Sequence, residues 1–362
     1  LTVYVYMIAF ALAQIAYGPI SDMVGRRPAL LVGLAIFAAG SVAGLAATSF
    51  NMLLAARAVQ GIGSAAARVL AVTIVRDRFA GREMARVMSL TMMVFLIVPI
   101  FAPTIGSLLL VLGGWRTIFA ATLGLGLVLA VWFAARMPET LHPEYRFPLS
   151  FARVGAAVTL TVSTRVSIGY ATAVGLMMGC LMAYIGSAQQ ILETTVYGLG
   201  PVFTLYFGLI AALMGVGSLV NSRLVRRVGM RRMGHAGLCG FVLVSFAQLG
   251  GAIVFAGHPP LAWFVATVAL NLMLFSLTVP NFNAMAMEPL GAVAGTASSL
   301  IGAYTTLAGA LCGLAVGQAF DGTVTPLAAG FVTLSLCCLA VVTWAERGKL
   351  FVPRSAPPGG KA

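Results

Sequence analysis

The sequence predicts an all-α integral membrane protein built from two pseudo-symmetric helical bundles, and three observations carry that prediction. Of its 362 residues, 60% are apolar and only 9% are charged, with a mean hydropathy of +1.01. The apolar residues fall in eleven continuous runs that lack the period-two alternation of barrel strands. A short glycine and arginine motif occurs twice, the first glycines being 199 residues apart. A soluble domain is about a quarter charged, so this composition excludes an ordinary soluble enzyme.

A helix needs roughly 20 largely apolar residues to cross the hydrocarbon core. In order, the runs cover approximately residues 2–20, 29–47, 51–74, 87–110, 117–136, 170–191, 201–221, 234–256, 261–286, 295–319 and 326–345. The odd-numbered connections share one side, and they hold 19 of the 22 Lys and Arg residues. The positive-inside rule makes that side cytoplasmic, together with the C-terminus. The net charge of +13 therefore follows from topology and contact with lipid head groups, not from nucleic-acid binding. The longest break, 137–169, carries Pro138, Pro143 and Pro148 and reads as a linker. It divides an N-terminal bundle over 1–136 from a C-terminal bundle over 170–346, with a cytoplasmic tail over 347–362. Cys180, Cys239, Cys312, Cys337 and Cys338 lie inside apolar runs without metal-type spacing, so no disulfide framework or metal site is expected.

The repeat sits at equivalent places. Gly18, Asp22, Gly25, Arg26 and Arg27 follow the first run; Gly217, Asn221, Gly229, Arg231 and Arg232 follow the seventh. Parallel repeats of this size characterise one class of secondary transporters. The seventh run is the second of its half, so the first run should also be a second helix. The expectation is a twelve-helix parent whose first helix lies outside this sequence, and a chain inactive without it; eleven helices by design is the alternative.

These residues resemble the major facilitator superfamily over essentially the whole chain. Gly18 to Arg27 is similar to its signature between the second and third helices. Arg57, Gln60, Gly61 and Gly63 match a second signature, Arg-x-x-Gln-Gly-x-Gly, in what would be the fourth helix. Pro99, Pro103 and Gly106 resemble the proline and glycine motif of drug/proton antiporters, with Ala102 in place of the motif's glycine before Pro103. Trp115-Arg116 and Pro138-Glu139-Thr140 resemble the twelve-helix branch, and the combination is most similar to the bicyclomycin/chloramphenicol resistance family. The resemblance implies a major facilitator fold in a bacterial inner membrane and alternating-access export of small, partly apolar drugs by proton antiport. It implies a monomer that uses the proton gradient and no cofactor.

Several residues become site candidates. Asp22 and Arg26 read as interfacial anchors, or, as the resemblance implies, with Gly18, Gly25, Arg27 and Arg76 as a conformational latch in which Asp22 can also face the helix starting near Gly295. Arg57 and Arg68, eleven residues apart, lie within roughly 20° on one helical face. An intramembrane Arg is expensive against lipid, so that face should look inward; snorkelling is the alternative. The resemblance implies that the main proton carrier is an acid of the expected first helix, with Glu193 a weaker candidate near Gln189 and Gln190. Tyr4, Gln14, Tyr184, Gln189, Asn271, Asn281 and Tyr304 are polar or aromatic residues inside the runs. Each reads either as packing or as wall of an amphipathic substrate cavity. Pro99 and Pro103 should bend the fourth run, and Gly309, Gly313 and Gly317 form a smooth stripe.

No Gly-x-x-x-x-Gly-Lys-(Ser/Thr) loop occurs, which disfavours ATP-driven pumping. His142, His235 and His258 are scattered, so no catalytic cluster is expected and an enzyme is disfavoured. The competing readings are a metabolite importer or facilitator of the same architecture, and a membrane receptor or enzyme without transport.

Overall fold

The computed structural model describes residues 1–79, 83, 87, 102, 105–106, 108–141, 144 and 151–352. Among the described residues the regular structure is helical throughout, without a strand, and ten helices are long and apolar enough to cross a membrane. Most of the run expected over 87–110 lies outside the described residues, including Pro99 and Pro103, so the expected bend is not described.

The first half contains α1 (Thr2–Val24), α2 (Arg26–Leu45), α3 (Phe50–Arg78) and α4 (Trp115–Arg136). Next comes α5 (Phe151–Ser163), a short helix inside the stretch expected to be only a linker. The second half contains α6 (Arg165–Ala188), α7 (Phe203–Val228), α8 (Met230–Val254), α9 (Leu261–Met287), α10 (Ala294–Gln318) and α11 (Thr325–Ala345). The helix α6 starts ahead of the expected border at residue 170 and ends in a π turn, Gln189–Thr194.

Local chemistry sets several helix ends. Ser49 caps α3, its Oγ accepting from the Met52 N–H at 3.2 Å. Gly25 separates α1 from α2 at φ 105°, and Gly229 separates α7 from α8 at φ 87°. Both lie in the left-handed region, where a side chain would strain the sharp reversal. Arg116, at the start of α4, donates to the carbonyls of Leu45 (3.2 Å) and Ala47 (3.0 Å), placing a cation at the C-terminal end of α2.

The repeat read from the sequence extends to the packing. In the first half α3 packs on α1 and α2, and α2 packs on α4; in the second α9 packs on α7 and α8, and α8 on α11. Glycines permit the closest crossings. A Cβ on Gly61 would lie 2.3 Å from the Tyr6 carbonyl oxygen in α1, and one on Gly63 would lie 2.3 Å from the Phe37 nitrogen in α2. The two glycines of the second signature thus bring α1 and α2 onto opposite sides of α3. The Gly309 and Gly313 stripe of α10 does the same against Met178 and Met182 of α6.

The helix α6 occupies the centre of the second half, packed on α9, α10 and α11, and no described element of the first half holds the equivalent place. This accounts for unequal cores. The second half buries Tyr170, Tyr184, Phe241, Phe264, Phe282 and Phe331 completely or nearly so, whereas the first half's core is mainly Leu30, Leu70, Ile74 and alanines around Tyr17. The halves meet where α1 runs antiparallel to α10: Gln14 faces Gly302 and Tyr4 faces Gly317.

Candidate functional site

The repeated motif folds into a charged cluster at the arginine-rich end of each half. In the first, Gly25 turns the chain so that Arg26 opens α2 against α1. Its side chain, 8% exposed, pairs with Asp22 and donates to Asp77 at 3.0 Å and to Ser21 at 2.7 Å. Glu139, just beyond α4, accepts from the backbone N–H groups of Arg26 (2.9 Å) and Arg27 (3.2 Å). A carboxylate therefore sits at the N-terminal end of α2, where no neighbouring side chain caps the helix. Burial alone would raise the Glu139 carboxyl, but the N–H groups of Leu141, Arg26, Arg27 and Thr140 favour its ionised form and hold it below the usual range. Arg27 donates to the Ala134 carbonyl at 2.6 Å, tying α2 to the last turn of α4.

The described contacts of the latch candidates stay within one half. Each of these partners belongs to the first half, so the cluster ties α1, α2, α3 and the segment after α4 to one another. The side chain of Arg76 lies outside the described residues; its neighbour Asp77 supplies the α3 contact. The expected reach from Asp22 to the helix start near Gly295 falls on residues whose contacts lie outside those described, and Gly18 faces Ser299 of α10 across the seam.

The second half holds a counterpart that the motif alone did not reveal. Arg231 donates to Glu288 (2.9 Å), just beyond α9, and to Glu346 (3.2 Å), just beyond α11. These carboxylates correspond to Asp77, in the last turn of α3, and Glu139, just beyond α4. Spacing was the available signal: Arg231, Glu288 and Glu346 stand 205, 211 and 207 residues after Arg26, Asp77 and Glu139. Here the network continues inward. The buried Tyr170 hydroxyl donates to Glu346 at 2.8 Å and lies 2.8 Å from His235 Nε2. Since His235 Nδ1 accepts from the Phe351 N–H at 3.0 Å, Nε2 carries the imidazole hydrogen and donates to Tyr170.

Arg57 and Gln60 do meet: the guanidinium donates to Gln60 Oε1 at 2.9 Å and lies 4.6 Å over the Tyr6 ring. Gln60 in turn donates to Ser41 at 2.8 Å, joining α3 to α2. Arg68, on the same helix, is exposed. Gly106 is helical, with open space where a Cβ would stand.

The seven polar candidates do not share one wall. Tyr4, 4% exposed, donates to the Met182 carbonyl at 3.3 Å and closes the seam at the end opposite the arginine clusters. Gln14 is buried in the same seam beside Gly302. Tyr184 is buried and stacked on Phe207. Asn271 donates to Gln248 at 3.0 Å and Asn281 to Asn221 at 2.7 Å, so both join neighbouring helices inside the second half. Gln189 and Tyr304 are exposed, and Tyr304 shares a 3.1 Å hydrogen bond with Thr172. Glu193 lies in the π turn, and its Oε2 is closed off from solvent with no hydrogen-bond partner among the described residues. An open groove of about 690 Å³ between α1 and α2 is lined by apolar residues such as Leu12, Ile20 and Val32, apart from these candidates.

Two membrane-spanning halves with matching packing and matching arginine clusters, meeting among the described residues along the antiparallel pair α1 and α10, define a polytopic transporter of the two-bundle kind. The model of the Major Facilitator Superfamily matches residues 1–313, and the chain belongs to that family. It is 31% identical over 348 residues to a bicyclomycin resistance protein homolog of Haemophilus influenzae, covering 94% of this chain and 84% of that one. It is 38% identical over 135 residues to multidrug resistance protein D of Escherichia coli K12, covering 37% and 34% of the two chains. A crystal structure of a D-xylose-proton symporter superimposes with a TM-score of 0.73 over 96% of this chain and 88% of that one, at 15% identity, a likeness of fold.

Proposed function

We propose that the chain exports small, partly apolar compounds from the cytoplasm in exchange for protons by alternating access. The observation that carries this reading is that each half is clamped internally, by Arg26 in one and Arg231 in the other, while the halves touch along α1 and α10. Such a body moves by rocking one rigid half against the other with little repacking inside either. The arginine-rich side is cytoplasmic by the charge distribution, and toward the opposite end the halves are joined by the Tyr4–Met182 hydrogen bond. The drug direction draws on the names of the relatives and on the antiporter motif at Pro99, Pro103 and Gly106. In this reading Arg57, fixed by Gln60 and Tyr6, sets the electrostatics of the proton path, and Glu193 is a proton acceptor toward the far side. The protein works as a monomer with the proton gradient as its only energy source.

The test is accumulation of a fluorescent dye in cells with and without the protein, followed by collapse of the proton gradient. Export predicts low accumulation that rises to the control level on collapse. Low accumulation that persists after collapse would overturn proton coupling; equal accumulation throughout for a panel of apolar cations and neutral dyes would overturn export.

A further inference from the structure

We propose that the pocket between the start of α6 and the segment following α11 binds the phosphate group of an anionic lipid. The pocket encloses about 490 Å³, and its walls include Thr164, Arg165, Glu346, Arg347, Lys349 and Val352. Three cations thus converge on one space. Arg347 and Lys349 are exposed and make no ion pair among the described residues. The Arg165 guanidinium lies 4.7 Å over the Trp344 ring and donates to the Trp344 carbonyl, while its Nε is buried without a protein acceptor among the described residues.

The acid on the wall does not cancel these charges. Glu346 is 5% exposed and already accepts from Arg231 and Tyr170, and the nearby Glu288 is paired with the same Arg231. The local balance is positive, and the unused donors belong to a guanidinium and an ammonium, which suit phosphate oxygens.

The wall carrying two of the cations is fixed in place. After α11 ends at Ala345, the chain turns back; the Gly348 N–H donates to the Thr343 carbonyl at 2.9 Å and the Lys349 N–H to the Glu346 carbonyl at 3.0 Å. Phe351 then docks on His235, with its N–H 3.0 Å from Nδ1 and its ring edge-on to the imidazole. A preorganised cationic wall spends less on ordering when a ligand arrives.

Phosphate of this kind can come from a lipid headgroup or from a soluble phosphate compound, and position favours the lipid. Membrane spans begin at Arg165 and end at Ala345, so the pocket lies at the polar boundary of the bilayer on the arginine-rich side. Trp344, half exposed beside it, supplies an apolar face at that depth.

The test uses the full chain in detergent micelles, with Trp115, Trp132 and Trp263 replaced by Phe so that Trp344 alone reports. Phosphatidylglycerol or phosphatidylcholine with brominated acyl chains is titrated as quencher. Half-saturation by phosphatidylglycerol should weaken about a hundredfold in Arg165→Ala/Arg347→Ala/Lys349→Ala, at about fivefold for each basic side chain facing an anionic headgroup. The variant Arg223→Ala/Arg226→Ala/Arg227→Ala removes the same charge at the end of α7 and should bind as the parent does. Should the first variant fail to fold, Arg347→Gln/Lys349→Gln changes exposed side chains only and should weaken binding about 25-fold. Equal quenching by the two lipids, or equal loss in the α7 variant, would overturn the site. Displacement of phosphatidylglycerol by inorganic phosphate at comparable concentration would overturn the assignment to lipid.

Discussion

Replacing Arg231 by Met should destabilise the protein more than the same change at Arg26, although the two arginines play equivalent parts in the repeat. The difference comes from the carboxylates left behind. Without Arg26, the remaining acids are Asp22 and Asp77, whose side chains are 51% and 22% exposed, so water takes over much of the solvation. That loss is about 1–2 kcal/mol, a charge-assisted hydrogen bond discounted for exposure. Without Arg231, the Glu346 side chain, 4% exposed, is left in the interior without its cation, with Tyr170 as a remaining partner. Breaking a buried pair from one side costs about 3–5 kcal/mol. The assay is the apparent melting temperature of each variant in one detergent at one scan rate, since unfolding of such a chain is under kinetic control. Adding Glu346→Gln to Arg231→Met should recover most of the loss, because the stranded charge disappears while an acceptor for Tyr170 remains. Equal losses for the two arginine variants, or a double variant no better than Arg231→Met, would refute the reasoning.

Three further outcomes are expected. Glu139 is held below its usual carboxylate range, so its contribution is present above about pH 4.5 and is lost as the pH falls through the lowered value. Melting curves of the parent and Glu139→Gln should accordingly differ near neutrality and converge in acid. Gly63→Ala places a Cβ 2.3 Å from the Phe37 backbone nitrogen and should cost about 1–3 kcal/mol, whereas Gly124→Ala, with nothing within 4 Å, should leave the melting temperature unchanged or slightly raised. Gln60→Leu strips the acceptor from Arg57 and the donor from Ser41 and should cost about 1–3 kcal/mol in stability. Under the proposed function it should also slow dye export, measured against Gln60→Asn.

Asp77, Glu288 and Tyr170 mark where reading the sequence stops. Arg26 and Asp22 were legible because they lie four residues apart on one turn, and a motif of that length fixes its own geometry. Their counterpart in the second half draws on Arg231, Glu288 and Glu346, from three elements far apart in the chain, and only the regular displacement of about 200 residues hinted at it. Asn271 and Asn281 illustrate an ambiguity of the opposite kind: polar residues inside apolar runs fit either a substrate chamber or a helix contact. The direction of each side chain, which here leads to Gln248 and Asn221, is set by how neighbouring helices are rotated. Likewise α5 hid in a proline-containing connection because its 13 residues are too few to stand out as a span.

The sequence by itself determined that this chain crosses a bilayer many times, which side carries the arginines, that the chain is built from a repeat, and which glycines let helices touch. Those properties depend on composition and short-range spacing, since the cost of placing polar backbone and charge in hydrocarbon acts residue by residue. The tertiary structure alone decided that the arginine clusters clamp each half from within, that Tyr4 seals the seam between halves, and that His235 holds the returning chain beside Arg165. Most of those contacts join residues between 51 and 178 positions apart, and their partners are chosen by helix rotation and depth, quantities that a linear pattern does not encode.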